Sequence, residues 1–236
     1  MKKLLIIAAS LLWGAALFAQ QALGPGTGIV SPEMNADNTV TFRYYNPKAV
    51  TVQISGDFLP TQQIKYQRDG REMIYDAPGR ADLVENNGMW TFTSTPLEGE
   101  LYSYTLYVDG QKMMDPSNIY QNRDIATWTN IFTISTEKGD KGWYYQVNDT
   151  PHGNVSKVWY DSPTLGMQRR MTVYTPAGYE KSTDTLPVLY LVHGGGDTDN
   201  SWPGVGAAGL ILDNLMAEGK MKPMVVVMPN GTIEVP

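Results

Sequence analysis

Cysteine is absent from all 236 residues, so the chain has no disulfide framework and no site for a lipidated cysteine. It must hold together by packing alone. Histidine is nearly absent as well, with only His152 and His193. Positive charge is scarce: 18 Lys and Arg against 24 Asp and Glu leave a formal net charge of −6. That balance excludes nucleic acid as a partner, because phosphates demand a basic face. A neutral polymer and a small neutral substrate fit an acidic surface equally well. Nothing in the motifs requires a metal or an organic cofactor. Asp197, Asp199 and Asn200 lack the other ligands and the spacing of a calcium loop, and read as solvated turn residues.

A composition with 42% hydrophobic residues, 23 Gly and 15 Pro is globular, and the length suits one large domain or two small ones. The one long apolar run is at the N-terminus. Lys2 and Lys3 precede an uncharged stretch from Leu4 to Phe18, and Ala19 is a small residue at a plausible cleavage point. This is the layout of a secretory signal over residues 1–19, although Leu17 breaks the small-x-small rule. A membrane anchor is the rival, but the run is shorter than the roughly 20 residues a span needs. A secreted or periplasmic protein, free of the membrane after cleavage, is expected.

Residues 25–135 alternate in short segments: Thr39–Tyr45, Ala49–Gly56, Gly88–Thr93, Leu101–Val108 and Ile131–Ser135. Asp109-Gly110 after the fourth is a hairpin signal. Short strands without a convincing helix predict a β-sandwich. Trp90 could be a platform for a sugar ring. It shares one face of an alternating strand with Phe92, and so reads as a core aromatic. Trp128, in the polar stretch NRDIATWTN without periodicity, is the better platform candidate. Residues 136–150 are polar and punctuated, and read as a linker whose aromatics, Trp143 to Tyr145, dock the two parts together.

Beyond Pro151 the pattern changes. Val155–Tyr160 and Arg169–Thr175 read as strands, Pro187–Val192 and Pro223–Met228 are continuous apolar runs, and Val205–Glu218 between them reads as a helix closed by Gly219. Strand, helix and strand with two apolar cores make a βαβ unit, hence a parallel sheet. His193-Gly194-Gly195-Gly196 directly follows the first of these strands. A glycine run there can turn tightly and bring backbone N–H groups next to a ligand. This is the place where α/β-hydrolases keep one donor for a tetrahedral oxyanion. Gly195 is the first choice for that donor, Gly194 shapes the turn, and Gly196 serves loop geometry. A merely flexible turn is the bland alternative. The catalytic His of this fold comes last in the chain, so His193 reads as a structural residue of the loop, and His152 likewise. Trp202 either walls a substrate pocket or packs against the helix.

Two resemblances follow. "FRYYNPKAVTVQISGDF", "GMWTFTSTPLEGELYSYTLYVDG" and "MMDPSN" resemble the immunoglobulin-like module at the N-terminus of glycogen-branching enzymes, the family-48 carbohydrate-binding type. "PHGNVSKVWYDSPTLGMQRRMTVYTPAGYE", "LPVLYLVHGGGDTDNSW" and "LILDNLMAEGKMKPMVVVMPNG" resemble carbohydrate esterases of family 1, which include feruloyl and acetylxylan esterases. The resemblances imply an immunoglobulin-like β-sandwich followed, over residues 151–236, by the first half of an α/β-hydrolase domain. They imply a serine esterase acting on acylated plant polysaccharide, xylan or another glucan being the partner.

The family places Gly-x-Ser-x-Gly after the fourth strand, then an acid, then a His. No Gly-x-Ser-x-Gly occurs in these 236 residues, and both histidines precede the expected position. The expectation is therefore a part of an esterase truncated before its nucleophile, inactive by itself, with an apolar sheet edge that invites aggregation. A carbohydrate-binding module with a vestigial hydrolase stub is the alternative.

Overall fold

The computed structural model describes residues 28–124 and 127–233. The expected signal at residues 1–19 lies outside them. Among the described residues, sixteen strands and two short α-helices are laid out in chain order, and those from Ser31 onward form one compact unit. Among the described residues no helix is long and apolar enough to cross a membrane.

Alternation and turn chemistry build the first part. The strands are β1 (Glu33–Met34), β2 (Val40–Tyr45), β3 (Val52–Gly56), β4 (Gln62–Arg68), β5 (Arg71–Ala77), β6 (Gly79–Asp82), β7 (Val84–Asn86), β8 (Met89–Thr93), β9 (Glu100–Val108), β10 (Gln111–Met113), β11 (Gln121–Asp124) and β12 (Thr127–Ile134). One sheet has the order β1-β2-β8-β7; a second runs β11-β12-β9-β3-β6, with β10 beside β9. Val40, Phe42 and Trp90 of the first sheet share a buried core with Val52, Ile54, Tyr104, Leu106 and Phe132 of the second. Trp90 is a core residue, and its indole N–H donates to the Asn46 carbonyl at 3.0 Å. Asp69-Gly70, Asn87-Gly88 and Asp109-Gly110 all take positive φ, as tight hairpin turns require. The first of these joins β4 to β5, a hairpin paired only with itself.

The Asp-Pro-Ser-Asn stretch has a structural task. Asp115, buried, accepts from the Ser31 hydroxyl at 2.7 Å and the Tyr104 hydroxyl at 2.9 Å. Asn118 donates to the Tyr104 hydroxyl and the Ile131 carbonyl, and Asn130 donates to the Asn118 carbonyl. Asp115, Asn118 and Asn130 thus find partners, which removes the penalty of taking them out of water. Burial and the Asp115 carboxylate push the Tyr104 phenol far above its usual range.

The stretch expected to be a linker is folded. Asp140 caps α1 (Lys141–Tyr144) by accepting from the Trp143 N–H at 2.7 Å. Gly142 lies so close to the Ile134 carbonyl that an added Cβ would sit 1.7 Å from its oxygen. Polar composition concealed this, because a four-residue helix is too short to show periodicity.

The second part has β13 (Asn154–Ser162), β14 (Met167–Thr175), β15 (Val188–Tyr190), α2 (Ala208–Ala217) and β16 (Val225–Pro229). Its sheet runs β13-β14-β16-β15, antiparallel except for the parallel pair β15 and β16. Tyr174, Ala208, Leu212, Val226 and Met228 form its core. The helix begins at Ala208 rather than Val205, because Ser201–Val205 forms a wider π-type turn. β15 is an edge: Val188 and Tyr190 are exposed despite their apolar character.

Candidate functional site

The site is assembled where β15 and β16 end. Because these strands are parallel, their carboxyl ends lie together, and the loops leaving them meet. The Leu191 N–H donates to the Val227 carbonyl at 2.9 Å, extending the ladder to the edge of the glycine run. His193 then ties the two loops. Its Nε2 accepts from the Gly231 N–H at 2.8 Å, which places the proton on Nδ1, and Nδ1 donates to the Gly194 carbonyl at 2.7 Å. Both ring nitrogens are thus engaged in holding the loop.

The Asp197 N–H donates back to the Gly194 carbonyl at 3.3 Å. Gly196 has φ +80°, a conformation that suits glycine because it has no Cβ. The Thr232 hydroxyl reaches the Asp197 carbonyl at 2.8 Å. Trp202 donates its indole N–H to the Val192 carbonyl at 3.0 Å and remains partly exposed. The loop is therefore fixed from three directions. Within it, the Gly195 N–H has no hydrogen-bond acceptor among the described residues. A Cβ on Gly194 or Gly195 would meet no atom within 4 Å. A fixed, exposed and unused backbone donor can bind an incipient oxyanion without first breaking a bond to another group.

Asp199 corrects an expectation. It is not a solvated turn residue: it is 1% exposed and takes a two-pronged contact from Arg170, 2.8 Å from Nε and 2.9 Å from Nη2. Hydrogen bonding from Arg170 holds the Asp199 carboxyl below its usual range, against the opposing effect of burial. A shallow groove of about 310 Å³ opens beside the loop, lined in part by Trp159, Arg169, Thr198, Asn230 and Thr232. Trp159 is 65% exposed, with the Arg170 guanidinium 5.6 Å from its ring centre. Sequence reasoning passed over Trp159 because it stands inside an ordinary alternating strand.

His152 belongs to a different cluster. Its Nδ1 lies 3.0 Å from Asp213, which also accepts from the Gly153 N–H and the Tyr174 hydroxyl. Burial and the Asp213 carboxylate push the Tyr174 phenol far above its usual range. The structure thus brings Gly194, Gly195 and Trp202 together. It places Trp128 elsewhere, on β12 of the second sheet, opposite Arg123 and half exposed. Trp128 therefore stands on a regular strand, not in the irregular stretch expected. Pairing with Gln121–Asp124 supplies the order that Thr127–Asn130 do not display in their own pattern. Among the described residues no cluster of His, Cys, Asp and Glu could hold a metal ion.

A carboxyl-end glycine loop whose N–H meets no acceptor among the described residues is an arrangement that an oxyanion could use. Residues 162–234 match the Esterase family model. The chain is 38% identical over 161 residues to an endo-1,4-beta-xylanase/feruloyl esterase of Xylanibacter ruminicola, covering 65% of this chain and 22% of that protein. It spans, then, 22% of the length of this curated relative. A solved ferulic acid esterase is 32% identical, aligned over 34% of this chain and 31% of its own, with a TM-score of 0.33. The enterobactin esterase of Shigella flexneri, crystallised with enterobactin, is 15% identical. It covers 91% of this chain and 60% of its own, with a TM-score of 0.54. That likeness is one of fold. The family match and the curated relative support a hydrolase of esterase type.

Proposed function

We propose that residues 151–236 are the N-terminal part of a serine carboxylic-ester hydrolase domain that acts on acylated plant polysaccharide, releasing feruloyl or acetyl groups from xylan. In this reading the Gly195 N–H is one of the donors to the tetrahedral oxyanion. The second donor, the nucleophile, the acid and the base are not among these 236 residues. Residues 25–135 are an immunoglobulin-like module of the family-48 carbohydrate-binding type, and the protein is exported.

One observation carries the proposal: the Gly195 N–H, like its glycine neighbours' N–H groups, meets no acceptor among the described residues, in an exposed loop at the carboxyl end of β15 that His193 and Trp202 tie down. Ester hydrolysis gains most from such a preorganised donor, and loss of one typically costs about 10²–10³ in rate. The xylanase/feruloyl esterase relative supports the substrate class.

The test uses the complete open reading frame to which these residues belong, assayed on methyl ferulate and acetylated xylan. Gly195→Pro removes the N–H and is expected to lower kcat by about 10²-fold or more. Gly195→Ala keeps the N–H, and its Cβ meets nothing within 4 Å, so it should fold and raise KM more than it lowers kcat. Equal turnover by Gly195→Pro and the unaltered protein would remove Gly195 from the mechanism. Residues 1–236 alone are expected to show no turnover.

A further inference from the structure

The outer face of the second sheet holds a groove that the esterase chemistry does not use. Along β9, Tyr104 and Leu106 enter the core, so Thr105 and Tyr107 stand on the opposite face. On β3, Ser55 lies opposite Thr105 on one side and Arg80 of β6 on the other. Lys112 of β10 lies opposite Tyr107. The self-paired hairpin β4–β5 stands over this face as a wall and contributes Tyr75, which is about half exposed. Between wall and sheet is a groove of about 230 Å³.

Its chemistry is selective. Two cations line it, Arg80 and Lys112, and no Asp or Glu does. The nearby Asp57 is consumed by Ser103, accepting from both its N–H and its hydroxyl. Neither Arg80 nor Lys112 has an ion-pair partner among the described residues. The Arg80 guanidinium carbon lies over the Tyr107 ring, 3.7 Å from its centre. Stacking holds a guanidinium in place while leaving its edge donors available. In a molecule of net charge −6, a groove with two uncommitted cations and no carboxylate is fitted to an anion. The Tyr75 ring and the Ser55 hydroxyl are fitted to a polar ring, while the Thr105 hydroxyl, which donates to the Met113 carbonyl at 3.0 Å, offers an acceptor.

We propose that this groove binds an acidic sugar, a hexuronate substituent on a polysaccharide chain. Arg80 and Lys112 take the carboxylate, and Tyr75 with the Ser55 and Thr105 hydroxyls takes the ring. The choice of a sugar as carrier of the carboxylate rests on the polysaccharide substrate proposed above; the choice of an anion rests on the groove alone. The site would hold the chain to glucuronate-bearing segments of its polymer, independently of Gly195.

Calorimetric titration of the full chain with glucuronate-substituted xylo-oligosaccharides and with unsubstituted ones of the same length tests this. The acidic ligand should bind about tenfold more tightly or better, and R80Q and K112Q should each weaken it about five- to tenfold without changing the neutral ligand. Raising salt should reduce the difference, since both cations are exposed. Both variants alter exposed side chains, and matching thermal melts establish that they fold. Equal affinity for the two ligands, unaltered by R80Q and K112Q, would overturn the groove while leaving the polysaccharide reading standing. Binding of neither would overturn it too. Turnover of methyl ferulate by the complete reading frame reports on the esterase reading separately.

Discussion

Arg170 and Asp199 illustrate how one contact sets the behaviour of a loop. Asp199 follows the glycine run by three residues, and its side chain is buried against the strand that carries Arg170 and Thr172. A carboxylate held below its usual range contributes stability above its unfolded value near 4, and that contribution is lost as pH falls through the lower folded value. Replacing Arg170 by Met leaves a buried charge without a partner. The expected outcome is a melting temperature several degrees lower at pH 7, with the difference from the unaltered chain shrinking as pH falls, because burial without Arg170 favours the protonated form of Asp199. A difference that grew in acid would contradict the assignment. His193 acts at the same scale. Its Nε2 accepts from Gly231 and its Nδ1 donates to Gly194, so both ring nitrogens hold the loop.

At the scale of elements, the edge strand β15 governs behaviour in solution. It is a short, apolar, parallel strand with one neighbour, β16. Its unpaired backbone groups and exposed Val188 and Tyr190 are a template for another strand. Light scattering of residues 1–236 should accordingly rise with time and concentration, and Tyr190→Lys should suppress it while changing stability by no more than about 0.5 kcal/mol. Scattering unaffected by the lysine would place the aggregating surface elsewhere. Continuous apolar runs marked β15 and β16 in the sequence. The β4–β5 hairpin was also legible, since Asp69-Gly70 is the same turn signal as Asp109-Gly110. It was missed because Gln62–Arg68 carries few apolar residues, and a hairpin without a buried face shows no alternation.

For the whole molecule, Asn214 is one of the residues that join the parts. It is buried on α2 and donates to the carbonyls of Tyr144 at 3.1 Å and Gln146 at 3.0 Å. The Tyr144 hydroxyl bonds Glu218 at the end of the same helix. The stretch after the β core is thereby fastened to the esterase-like core. Asn214→Ala leaves buried carbonyls short of a donor at a cost of about 2–3 kcal/mol. Denaturant unfolding followed by tryptophan fluorescence should then split into two transitions, the β core melting last. A single transition shifted as a whole would mean that the cores are coupled by other contacts.

The sequence by itself determined the periodicities and the punctuation. Alternation named the strands of the first core, apolar runs named the parallel pair, and a glycine run after one of them named the loop. These are local properties, because burial period and turn conformation are encoded within a few residues. Only the tertiary structure decided that the Gly195 N–H is left free, that Asp199 is buried on Arg170, and that Arg80 and Lys112 border one groove. The last two join residues far apart in the chain. Their proximity follows from sheet order and from which groups find partners, and a one-dimensional pattern does not record either.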